Sequence, residues 1–133
     1  LNTCEKILVS DDKKEKKLTY AMTEAGARSH MNLAKDKFNR AKILIETYLC
    51  SDFDLKYKDN IVDTLAEYMT NMKFYADFME SQIASDNRIK NKKTGEDQIV
   101  VAYEDFTIIN SYLITTAACE NELETLGISM QAH

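Results

Sequence analysis

LTYAMTEAGARSHMNLAKDKFNRAKILIETYLC, residues 18–50, carries the clearest pattern in the chain. Tyr20, Glu24, Ala27, Met31, Ala34, Phe38, Ala41, Ile45 and Tyr48 follow one another at steps of four and three, the spacing that aligns side chains along one stripe of an α-helix. All except Glu24 suit burial. Leu18, Met22, Leu33, Leu44 and Leu49 flank the stripe and widen it, so this helix is expected to pack against at least two neighbours.

Upstream, Asp12 followed three positions later by Glu15 resembles a capping box, which starts the first long helix near Lys13. Residues 1–10 then read as a short helix with Ile7 and Leu8 as its apolar pair, too short to persist undocked. Gly26 interrupts the long helix at a cost of about 1 kcal/mol relative to alanine, and a break there is the main alternative. Downstream, Ser51–Asp54 is a polar connection, and Ile61, Leu65, Tyr68, Met72, Tyr75 and Met79 trace a second helix that should end by Asp86.

Asp86–Thr94, rich in Asn and Lys, reads as a solvated loop. Thr94 with Asp97 is a second capping-box pattern, opening a third helix along Ile99, Ala102, Phe106, Ile109, Leu113, Thr116, Cys119, Leu123 and Leu126. The β-branched run from Ile99 to Thr116 could be read as strand, but its length and its end signals favour helix. Gly127 should terminate it in the αL conformation, with Leu123 and Ile128 supplying the apolar contact of a Schellman ending. The expected fold is all-α: an antiparallel up-down-up bundle of three long helices plus a short N-terminal helix, one domain over residues 1–133, or a four-helix bundle if the first helix breaks near Gly26.

A chain of 133 residues can bury roughly two-thirds of its unfolded surface, enough for a core without metal or multiple disulfides. Apolar residues at 44% and charged residues at 29% fit a soluble globular chain, and no apolar run approaches the ~20 residues of a membrane span. A net charge of -5 argues against a phosphate-backbone binder, so nucleic acid is not an expected partner. The chain opens on Leu1 rather than methionine, which fits either a trimmed chain or a mature form after signal-peptide removal.

Alternating helix directions bring Cys50 and Cys119 to one pole, where a disulfide between them is expected; two buried free thiols are the plain alternative. Cys4 should lie at the other pole, free or bonded to another chain. The same topology gathers Lys13, Lys14, Lys16 and Lys17 with Arg88, Lys90, Lys92 and Lys93 into a basic pole, opposite Asp52, Asp54, Glu120, Glu122 and Glu124. That basic pole is a candidate partner-binding surface for acidic protein or anionic headgroups, set against the plainer reading of a solvated face. Phe74 and Phe78 lie on a line beside the second helix's stripe, wider than a three-helix bundle needs, and form a second candidate contact surface. A fourth packing neighbour, such as the N-terminal segment or a broken half of the first helix, is the plainer account of them.

Chemistry is sparse. His30 is the one internal histidine, so a catalytic triad or histidine-rich metal site is not foreshadowed, and no Glu-x-x-His pair, phosphate loop or nucleophile elbow occurs. No cofactor is expected. His30 with a methionine as haem ligands is outweighed by a boundary histidine, given no C-x-x-C-H. Glu24 and Asn110 stand on or beside apolar stripes, where a buried hydrogen bond is the commoner role. The expected function is a non-catalytic protein-interaction module, of the kind of a small periplasmic or secreted inhibitor, immunity protein or secretion accessory. It would engage another protein or form a homodimer. The alternatives are a cytoplasmic location and a bundle that holds an apolar small molecule between its helices.

Overall fold

Thr23 divides the opening stretch in two. In the computed structural model, which describes residues 5–8, 18–50 and 56–130, Leu18–Thr23 is a β-strand and Glu24–Leu49 a helix. Among the described residues seven elements follow in order: β1 (Glu5–Leu8), β2 (Leu18–Thr23), α1 (Glu24–Leu49), α2 (Lys58–Ile83), β3 (Arg88–Lys90), β4 (Asp97–Val101) and α3 (Tyr103–Thr125). The expectation of an all-α bundle is therefore corrected: three helices pack with a small antiparallel sheet of order β1-β2-β4-β3. The short N-terminal helix is replaced by β1, and the Asp12–Glu15 cap lies outside the described residues.

Nonlocal pairing overrides the helical spacing of residues 18–23. Tyr20 pairs with Val101 and Met22 with Ile99, so alternate residues of β2 and β4 face the helices, with Met22, Ile99 and Val101 buried and Tyr20 partly so. Ala21 and Val100, on the opposite face, are buried too, which is why β4 reads as an unbroken apolar run rather than an alternation. Thr23 leaves the sheet in an extended conformation and its Oγ1 accepts a hydrogen bond from the Gly26 amide at 3.0 Å, an N-cap that starts α1 eleven residues after Lys13. Gly26 does not break the helix; it lies in the first turn, where a Cβ would stand 3.0 Å from the capping hydroxyl.

The predicted loop at 86–94 contains β3, and the predicted start of the third helix is β4. Thr94 caps no helix: it belongs to the β3–β4 turn, where Asn91 Oδ1 accepts from the Lys93 amide at 2.8 Å and Thr94 Oγ1 accepts from the Glu96 amide. The end of α3 follows the Schellman pattern, with the Ile128 amide donating to Leu123 O at 2.8 Å and that of Gly127 to Glu124 O at 3.0 Å. Gly127 has φ +92°, a conformation that other residues adopt only with strain.

Core packing is centred on α2. Ala27, Ala34 and Ala41 recur every seven residues on α1 and are almost wholly buried, so their small side chains let α2 approach closely with Leu65, Tyr68, Met72 and Met79. α1 and α3 each pack on α2, and the sheet covers one end of the three helices. Tyr20 stacks on Phe106 with ring centroids 3.7 Å apart, tying β2 to α3. Arg88 ties β3 to the helices: it donates to the Ile83 and Ser85 carbonyls at the end of α2 and reaches Glu24 at 3.4 Å.

Candidate functional site

α2 carries polar groups inside as well as out. Tyr68, Asn71, Tyr75 and Gln82 are buried at helical spacing, and each has a partner on another helix. Asn71 Nδ2 donates to Tyr112 O at 3.1 Å and to Thr116 Oγ1 at 2.9 Å. The Tyr68 hydroxyl donates to Glu120 Oε1 at 2.8 Å, and Lys37 Nζ donates to the same oxygen at 2.7 Å. Tyr75 OH lies 3.2 Å from His30 Nδ1, and Gln82 Nε2 donates to Asp105 Oδ2 at 3.5 Å. The result is a polar seam that fixes how α1, α2 and α3 register on one another, because a one-residue slip would leave several buried groups unpaired.

Burial raises the Tyr68 hydroxyl's pKa, with the Glu120 carboxylate adding to the effect, so Tyr68 is a hydrogen-bond donor and not a titrating acid. Burial also lowers the pKa of His30, which favours the neutral imidazole. These groups are engaged with one another rather than converging on an open cleft. The crevice between His30, Leu33, Lys37, Met72, Tyr75 and Leu113 has a volume of only about 40 Å³. Drug-sized ligands occupy roughly 300–1,000 Å³. Two larger depressions, of about 290 and 340 Å³, carry charge on their walls: Lys35, Lys73 and Asp77 in one, Glu120 and Glu124 in the other. Among the described residues no group of three His, Cys, Asp or Glu side chains could hold a metal, and no helix is long and apolar enough to cross a membrane.

Several expected sites are redistributed. Cys50 and Cys119 are both free thiols, Cys50 exposed at the C-cap of α1 and Cys119 buried, which corrects the expected disulfide. Cys119 faces α2 near Glu67 and Tyr68, and burial with the Glu67 and Glu120 carboxylates pushes its thiol pKa up to about 11. Of the basic pole, Arg88 is consumed in structural contacts, Lys90, Lys92 and Lys93 are exposed along β3 and its turn, and Lys13–Lys17, like Cys4, lie outside the described residues. The aromatic line divides: Phe74 is 53% exposed, whereas Phe78 packs edge-on against Tyr112 with centroids 6.0 Å apart. Glu24 is an exposed first-turn residue paired with Arg28 and Arg88 rather than a core acid, and Asn110 is exposed.

The feature that spacing arguments missed is the outer side of α3. Only Ile109, Cys119 and Leu123 of its 23 residues are buried. Tyr103, Thr107, Ser111, Ile114 and Ala118 form an exposed stripe at steps of four and three, with Tyr103 at 64% and Ile114 at 70% exposure and Ile108 exposed beside them. Residues 106–119 contain no charged side chain, and the chain has no Lys or Arg after Lys93. Both signals stand in the sequence, but they look like core composition until α2 and the sheet are seen to cover just one side of the helix. No known protein family, curated protein or solved structure matches the chain.

Proposed function

We infer that this chain is a non-catalytic protein-interaction module and that the outer face of α3 is its contact surface. The observation that carries the reading is the uncharged stretch Phe106–Cys119, roughly 21 Å long at 1.5 Å per residue, whose outer side is exposed at Thr107, Ser111, Ile114 and Ala118. Solvated helix faces are normally charged, as α2 is at Asp59, Asp63, Glu67, Lys73, Asp77 and Glu80, all exposed. Interfaces are instead depleted of charge at their centre. The paired seam supports a structural rather than a catalytic role for the polar core, and an apolar small molecule would find only about 40 Å³ beside the seam and charged walls in the two larger depressions. The expectation of a periplasmic or secreted protein drew partly on a Cys50–Cys119 bond; with both thiols free, the interaction reading carries no assignment of compartment.

A photo-crosslinking residue at Ser111, compared with one at Asp63 in the same native cells, tests this reading. The expected result is a discrete protein adduct at Ser111 that Ile114→Lys abolishes, and none at Asp63. Equal labelling at both positions, or adducts indifferent to Ile114→Lys, would overturn it.

A further inference from the structure

We propose that the occupant of the α3 face is a helix of another protein that carries an apolar stripe with lysine or arginine toward its ends. This rests on the interaction reading above and specifies the partner's chemistry. The argument is charge complementarity. Every charged residue from Tyr103 to Met130 is acidic, and these acids stand at the two ends of the uncharged stripe: Glu104 and Asp105 at the start, Glu120, Glu122 and Glu124 at the finish.

Not all of these are available. Glu120 is bonded to Tyr68 and Lys37, and Asp105 accepts from Gln82. Glu104, Glu122 and Glu124 are exposed. The C-terminal end is the more negative, since Glu122 and Glu124 add to the negative end of the helix dipole and no basic residue lies in the last turn. Lys37 pairs with Glu120 and Arg40 Nη2 donates to Ser129 O near this end, while Glu122 and Glu124 make no ion pair among the described residues, and a cation on a docking helix would meet them. Between the acids, Ser111, Ala117 and Ala118 are small enough for close backbone approach, while Ile108, Ile114 and Tyr103 supply apolar contact.

A second copy of this chain is a poorer occupant of the same face. Antiparallel apposition of two α3 helices brings Glu104 of one to Glu122 of the other, and parallel apposition brings each acid to its own counterpart. Both arrangements set like charges together across an interface, which costs affinity.

The test is selection from a displayed library of helical peptides of about 20 residues, randomised on one face, against the full chain with counter-selection on Ile114→Lys. The expected winners carry a net positive charge with Lys or Arg toward the ends. Their affinity should fall as salt rises, and Glu104→Lys/Glu122→Lys should weaken them by about tenfold or more. Winners that depend on Ile114 but are neutral or acidic would overturn the basic-helix proposal and leave the interaction surface standing. Failure to enrich any Ile114-dependent peptide would overturn both. A stable dimer in sedimentation that Ile114→Lys dissociates would overturn the proposed occupant alone.

Discussion

α2 and α3 are helices of similar length with opposite relations to the rest of the molecule. α2 buries nine residues and lines its exposed side with charge; α3 buries three and leaves its exposed side uncharged for about four turns at 3.6 residues each. The sequence of α2 is largely accounted for by this chain alone, since its apolar groups other than the exposed Phe74 serve the core and its buried polar groups all meet partners. α3 is accounted for on one side only. Ile109, Leu113, Cys119 and Leu123 serve the core, whereas Ile108, Ile114 and Tyr103 stand outside the core formed by the described residues. A residue's helical periodicity thus identifies a core stripe when the remainder of the helix is charged, and fails to do so when the remainder is not.

The comparison breaks most readily at the seam between the two helices. Glu120→Ala should cost about 2–3 kcal/mol, because it leaves the Tyr68 hydroxyl and the Lys37 ammonium without their shared acceptor in a mostly buried position. Denaturant unfolding monitored by circular dichroism would measure it, and a loss below half a kcal/mol would mean that α2 and α3 are not registered by this contact. Thr23→Ala should cost about 1 kcal/mol by removing the α1 cap, with protection of the first-turn amides in hydrogen exchange falling most.

Next comes a pH effect. The folded pKa of His30 is depressed by burial, so its stabilising contribution is present above the ordinary value of 6.5 and is lost as pH falls through the lower folded value. Stability should therefore decline on acidification from neutrality, and His30→Gln should make that part of the decline shallower. An unchanged pH profile would place His30 in water rather than against Tyr75.

Much of the helical half of this architecture is written locally. The alanine, methionine and aromatic repeat from Ala27 to Tyr48, the Ile61–Met79 stripe and the Gly127 stop each depend on residues within a few turns, and each is legible in the sequence. The sheet is not. Tyr20 and Met22 fit a helical stripe as well as a strand, and what decides between them is Val101 and Ile99, about eighty positions away, which no local spacing can weigh. Arg88 looks like part of a solvated basic run until the end of α2 is placed beside it. The polar seam is not legible either: Asn71 and Gln82 fall three residues after Tyr68 and Met79, but the spacing names no partner for them, and Glu120 meets Tyr68 only through the packing of α3. The α3 outer face was readable as composition and unreadable as a surface, since its charge-free run became exposed only when β4 took Ile99–Val101 out of the helix and α2 claimed a single side of it.

The smallest effect expected on stability is the most decisive for function. Ile114→Lys, placed at a 70% exposed position, should change unfolding free energy by less than about 0.5 kcal/mol and yet lower affinity for a peptide selected on the α3 face by about tenfold or more. Measuring both quantities on the same sample tests whether that face belongs to a partner or to the fold. Unaltered folding with binding lost is the predicted outcome; binding retained, or a loss of stability on the scale of a buried isoleucine, would contradict it.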